Sequence, residues 1–132
     1  MIAGTEHQNR FSFTNEERLK SSKRIESLFS KKSFVQNPII RIYYQSVESN
    51  CAVPAQFAFV APKKLFSKAV DRNRIKRLLR EGVRLQKHEW NSIMQQREQN
   101  FIFLLSYQAK TIKSQQEIST NISLLFNKIL DK

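Results

Sequence analysis

Two glycines and one cysteine are all that this chain of 132 residues contains of either type. With so little glycine, a glycine-rich phosphate loop has almost nothing to be built from. Cys51 stands alone, which excludes an internal disulfide and a cysteine-based zinc cluster. Acidic residues are also scarce: 11 Asp and Glu against 23 Lys and Arg leave a formal net charge of +12 and a pI near 10.2. The acids form no D-x-D or E-x-x-x-D pair, whereas a metal-dependent nuclease working alone needs clustered carboxylates. No stretch approaches the ~18 apolar residues of a membrane span, and "MIAGTEHQNR" has no apolar core of signal-peptide length. The expectation is a cytoplasmic chain with no membrane partner.

What the sequence does have is apolar substance and cations. The hydrophobic fraction is 40% with ten Phe, enough for a folded protein, and the length suits one domain with a modest core. A charge excess of this size repels itself in the folded state, and its usual counterpart is a polyanion.

The pattern along the chain divides it as follows. Residues 1–13 are polar, without periodicity, and read as a mobile arm, leaving 14–132 as the domain. Thr14 followed by Glu17 has the spacing of a capping box and predicts a helix over about residues 15–30, with Glu16 and Glu17 in its first turn. "IIRIYYQSV" alternates as a strand, placing Ile40, Ile42 and Tyr44 on one face and Arg41 and Tyr43 on the other. "ESNCAVPA" reads as a loop, and "QFAFVAP" as a strand stopped by Pro62. A basic segment runs as one helix towards Trp90, "FIFLLSY" is a strand buried on both faces, and "SQQEISTNISLLFNKIL" closes as a helix. The fold class is therefore α/β: an α+β two-layer sandwich on a small mixed sheet, in the order α-β-β-(β)-α-β-α.

The basic helix carries the charge. Residues 63–87 hold ten basic and two acidic residues, a net +8 of the total +12. At ~100° per residue, Ile75, Leu78, Leu79, Gly82 and Leu85 make an apolar stripe. Asn73, Lys76, Arg77, Arg80, Arg84 and Lys87 fill the opposite arc. A merely solvated face would show Glu–Lys pairing, but only Asp71 and Glu81 are available. Clustered, unpaired cations are the footprint of nucleic acid, and the planar fork of Arg suits phosphate oxygens. Asn73 is suited either to donate to a phosphate or to hold the turn into the helix.

The stretch "RNRIKRLLRE", with "APKKLFSKAVD" before it, resembles the signature of the bacterial ribonuclease P protein subunit. "RLKSSKRIESLFSKKSF" is similar to that family's first helix and "RIYY" to its first main strand, so the resemblance extends over residues 14–130. It implies a left-handed strand–helix–strand crossover and a protein that assists a catalytic RNA in removing the 5′ leader of precursor tRNA. The implied partners are ribonuclease P RNA and precursor tRNA, with no obligate protein partner. The implied cofactor is Mg2+, held mainly by the RNA. By this resemblance Lys63, Lys64, Lys68, Arg72, Asn73, Arg74, Lys76, Arg77, Arg80 and Arg84 contact the catalytic RNA. Ile25, Phe29, Arg41, Tyr43, Phe57 and Phe59 are assigned to the leader, with Ile25 standing where the family often has a ring. Taken by pattern alone, Phe57, Phe59, Phe101 and Phe103 are core residues of two strands, and Phe29 suits core or leader contact equally. His7, His88 and Cys51 have no partners in the pattern that would make a protein-only active site, so no catalytic residue is expected. The alternative is a small basic ribosomal or other structural RNA-binding protein, and a second rival is an autonomous RNA-processing nuclease.

Overall fold

The computed structural model describes residues 17–31, 33–47 and 54–130. Thr14, Glu16, Cys51 and the arm expected at 1–13 lie outside the described residues. Helix α1 spans Ser22–Lys31, followed by strands β1 (Phe34–Gln36), β2 (Ile40–Ser46) and β3 (Ala55–Val60). Helices α2 (Ala69–Arg84) and α3 (Lys87–Gln96) lead to strand β4 (Phe101–Tyr107), and α4 (Gln115–Leu130) ends the chain.

The sheet order is β1-β2-β4-β3. β2 pairs antiparallel with both β1 and β4, and β3 runs parallel to β4, so α2 and α3 form the crossover between parallel neighbours. Alternation along the strands decides which layer each side chain joins. Ile40, Ile42, Phe57, Phe103, Leu105 and Tyr107 pack with Ile75, Leu79, Val83, Trp90, Met94 and the apolar stripe of α4 in the larger core. Tyr43, Ile102 and Leu104 point the other way and meet Leu19 and Leu28 under α1. β4 serves both cores, which is why its sequence shows no alternation. The apolar stripe of α4, Ile118, Ile122, Leu125 and Ile129, is buried throughout, and the Trp90 and Phe126 rings stack at 3.9 Å.

Three expectations need correction. The first helix begins at Ser22 rather than residue 15; Ser21 Oγ accepts from the Arg24 amide at 3.4 Å, so the helix has its own serine at the start. The three-residue strand β1, whose place in the chain was not predicted, is too short for alternation to reveal. The basic helix does not run unbroken to Trp90. It ends at Arg84, where the Gln86 amide donates to Val83 O at 3.0 Å instead of Gly82 O. The Gln86 side-chain amide takes Gly82 O at 2.8 Å and Ser119 O at 3.1 Å, a tertiary substitution that no glycine or proline announces. Leu85 therefore leaves the buried stripe and is 57% exposed.

Candidate RNA-binding site

The turn after β3 and helix α2 together present the basic surface. Pro62 ends the strand, and its carbonyl accepts from the amides of Leu65 and Phe66, each at 3.1 Å, which exposes Lys63 and Lys64 at the turn. Phe66 is buried against Tyr107. Lys68 is the N-cap residue of α2 and gives no side-chain cap. Ile75, Leu79, Gly82 and Val83 anchor α2 on the sheet and on α4, which leaves Asn73, Arg74, Arg77 and Arg80 exposed and Lys76 half-buried. Among the described residues no carboxylate lies within ion-pair distance of Arg72, Arg74, Lys76, Arg77 or Arg80.

Not every cation of the signature points outward. Arg72 donates to Phe66 O at 2.9 Å and Ser67 O at 2.7 Å, so it fastens the turn to the helix. Arg84 forms a two-pronged pair with Glu81, at 2.6 and 2.9 Å. That hydrogen-bonded pairing lowers the Glu81 carboxyl below its ordinary value and raises Arg84. Lys87, placed by the sequence on the basic arc, is instead buried, with Nζ 2.6 Å from Glu17 Oε1. The helical wheel does not extend past the break at Leu85, so its prediction for Lys87 fails.

Helix α1 lies over the second face of the sheet, tied by Arg24 to the Gln56 side chain at 3.2 Å and by Ser27 to Gln45 at 3.1 Å. Beside it opens a groove of about 380 Å³ lined by Arg18, Lys20, Ile25, Ala58, Phe59, Val60, Lys76 and Arg80, among others. The Arg80 guanidinium sits 5.8 Å from the Phe59 ring centre, a cation–π arrangement that aims a charge into the groove. Ile25 supplies apolar wall. The structure thus brings Ile25 and Phe59 together with two cations of the basic helix.

Phe29, Arg41 and Tyr43 meet nearby, but in a separate cluster. The Phe29 ring packs edge-on against Tyr43 at 5.0 Å, and Phe34 tilts against Tyr43 at 5.7 Å. Arg41 donates to the Tyr43 hydroxyl at 3.1 Å and to Gln36 at 2.9 Å, and its guanidinium lies 4.6 Å over the Phe34 ring. Tyr43 is 9% exposed, so it supports the cluster, whereas Phe29 (47%) and Phe34 (37%) present open ring surface. Phe57 also lines the groove, but it is 2% exposed and its ring stacks with Phe103 at 5.4 Å, so the ring packs in the core as its alternation indicated.

Sequence reasoning missed Arg18, Lys20, Phe34, Glu17 and Lys87 as parts of this region. Phe34 could have been found only with β1 in hand. Arg18 and Lys20 enter because residue 18 bridges to Phe57 on the free edge of β3, a pairing with no local signal. Among the described residues no group of three or more His, Cys, Asp and Glu is placed to hold a metal ion.

A family model described as Ribonuclease P matches residues 13–130. The chain belongs to the ribonuclease P protein family. It is 39% identical over 89 residues to a ribonuclease P protein component of Porphyromonas gingivalis, covering 67% of this chain and 64% of the relative. A second relative of that name, from Chlorobaculum tepidum, is 39% identical over 67 residues, 48% of this chain and 44% of its own length. The matches thus span less than two thirds of these relatives. Two solved structures share the fold. The Staphylococcus aureus RNase P protein superimposes with a TM-score of 0.67 at 20% identity, covering 86% of this chain and 94% of that one. The Thermotoga maritima RNase P protein gives 0.64 at 19%, covering 83% and 94%. The α+β architecture, with four helices and a four-stranded mixed sheet among the described residues, is that of these ribonuclease P proteins. No helix among the described residues is long and apolar enough to cross a membrane.

Proposed function

We propose that this protein is the RNA-binding subunit of ribonuclease P, assisting a catalytic RNA in the endonucleolytic removal of 5′ leaders from precursor tRNA in the cytoplasm. The observation that carries the reading is the outward face of α2. Among the described residues Arg74, Lys76, Arg77 and Arg80 stand there without carboxylate partners, next to a groove lined by apolar and cationic residues. Lys63, Lys64 and Lys68 extend that face along the preceding turn, and Asn73 lies within it. Arg72 and Arg84 contribute charge while holding local structure.

The chemistry follows from this division of labour. Phosphates of the catalytic RNA repel one another, and fixed guanidinium and ammonium groups stabilise their close approach as added Mg2+ would. The protein thereby reduces the magnesium requirement, while the RNA holds the reacting ions. The single-stranded leader enters the groove past Ile25 and Phe59, with Lys76 and Arg80 near its backbone. Phe29 and Phe34 offer ring surface to bases, and Arg41 is held ready by Tyr43 and Gln36. Stacking on such rings tolerates any base.

The test is reconstitution. Purified protein added to ribonuclease P RNA at low magnesium should restore precursor tRNA cleavage, and Asp71→Asn and Glu81→Gln should leave the cleavage step nearly intact. Co-purification with ribosomal RNA and no effect on cleavage would favour a ribosomal protein. Cleavage by the protein without any RNA cofactor would make it a nuclease in its own right. Family membership favours the subunit reading over both.

A further inference from the structure

The Glu17–Lys87 pair is buried on both sides, with side chains 5% and 3% exposed, and it joins residues 70 positions apart. Neither charge reaches solvent, so neither serves RNA directly. Its location suggests another use. Glu17 immediately precedes Arg18, Leu19 and Lys20, which form one wall of the groove. Arg18 bridges to Phe57, and the Leu19 amide donates to Phe57 O at 2.8 Å, so this short segment extends the free edge of β3. Lys87 opens α3 just past the end of α2, the helix whose Lys76 and Arg80 also line the groove.

The groove is therefore lined by four cations, Arg18 and Lys20 from the edge segment and Lys76 and Arg80 from α2. Like charges across a gap push it open. Against that push, the edge segment is held by its pairing to Phe57, by buried Leu19 and by Glu17. A buried pair tolerates little displacement, because separating it exposes each charge to an environment that cannot solvate it. We propose that the Glu17–Lys87 pair sets the spacing between the edge segment and α2 along the groove, making both residues positioning residues for the bound single strand. The inference rests on the proposed leader role of the groove.

Two readouts test it in the full-length protein. The first requires no RNA: hydrogen exchange at the Leu19 amide, which reports the wall itself. Glu17→Gln and Lys87→Met should each speed that exchange by about tenfold or more, with amides of β4 unaffected. The second uses protein reconstituted with ribonuclease P RNA and compares affinity for precursor and mature tRNA. Both variants should lose precursor affinity by about tenfold, about 1.4 kcal/mol, with mature tRNA unchanged. Where either variant fails to fold, Glu17→Asp, which keeps the charge and shortens the reach by one methylene, is read in the same two assays. Leu125→Ala, a core change on α4, serves as the control for general destabilisation. Unchanged Leu19 exchange, or an equal loss of precursor preference in Leu125→Ala, overturns the positioning role. Faster Leu19 exchange in a protein whose wild type shows no precursor preference would instead overturn the leader reading and leave the wall's anchor established.

Discussion

Neutralising two arginines should change how binding responds to salt more than it changes the protein. Arg74 and Arg77 are exposed, and among the described residues neither has an ion-pair or hydrogen-bond partner. Replacing both with Gln removes no internal contact and should leave thermal stability within about 0.5 kcal/mol. If each meets one phosphate, the logarithmic salt slope should flatten by about 0.7–0.9 per residue, or about 1.4–1.8 for the pair. Over the fourfold rise from 50 to 200 mM salt, the affinity gap between wild type and variant should therefore narrow by about tenfold. Filter binding to ribonuclease P RNA across that salt range measures it. Arg72→Gln is the informative contrast. Two of its hydrogen bonds are spent on Phe66 O and Ser67 O, so its loss should lower stability by about 1–3 kcal/mol and loosen the turn carrying Lys63 and Lys64. Parallel salt lines for wild type and the Arg74/Arg77 variant would refute the phosphate-facing assignment.

Other consequences follow from particular contacts. A Cβ at Gly82 would lie 2.7 Å from Ile122 Cδ1, so Gly82→Ala should destabilise by about 1–3 kcal/mol from overpacking, less about 1 kcal/mol of helix propensity. Ile122→Val, which removes that methyl, should recover part of the loss in a double-mutant cycle read by denaturant midpoint. The Glu81 carboxyl is held below its ordinary value of 4.5 by Arg84, so the pair's stabilisation is present above that value and fades as pH falls beneath it. Both side chains are a third or more exposed, so the effect is small, and Glu81→Gln should flatten the acid limb of a thermal-melt pH series slightly. Phe29→Ala should cost about 1–2 kcal/mol of stability through the lost Tyr43 contact, and weaken precursor tRNA binding by about 1–3 kcal/mol while sparing mature tRNA. Equal losses for both tRNAs would make Phe29 a structural residue.

The parts of this fold that were legible in the sequence are those whose signal is local and repeated. β4 occupies the predicted stretch, β2 and β3 fall within a residue or two, and Arg41 and Tyr43 share a face opposite Ile40 and Ile42 as period-two alternation requires. The apolar stripe of α2 through Ile75 and Leu79 is buried, because one helical period governs it from end to end. Where tertiary contacts replace a local rule, the sequence was silent or misleading. The α2–α3 break depends on Gln86 reaching Ser119, 33 residues away, and nothing near Gln86 encodes that.

Glu17 and Lys87 show the same limit in the candidate site itself. Read locally, a glutamate three residues after a threonine is a capping residue, and a lysine at the end of a basic run is one more cation for RNA. The pairing that each makes with the other, across 70 positions, follows from neither rule. The charges neutralise each other inside the protein, so the surface available to a polyanion has fewer cations than composition suggests, and Glu81 neutralises Arg84 in turn. What distinguishes a binding cation from a structural one is therefore not its position on the helical wheel but whether folding brings it a carboxylate or a carbonyl. By that criterion Arg74, Lys76, Arg77 and Arg80 remain committed to the outside, and Arg72, Arg84 and Lys87 are committed, wholly or in part, to the fold. The net charge drew attention to one helix, but only the pairing of its charges separates the cations that hold the fold from those that face outward.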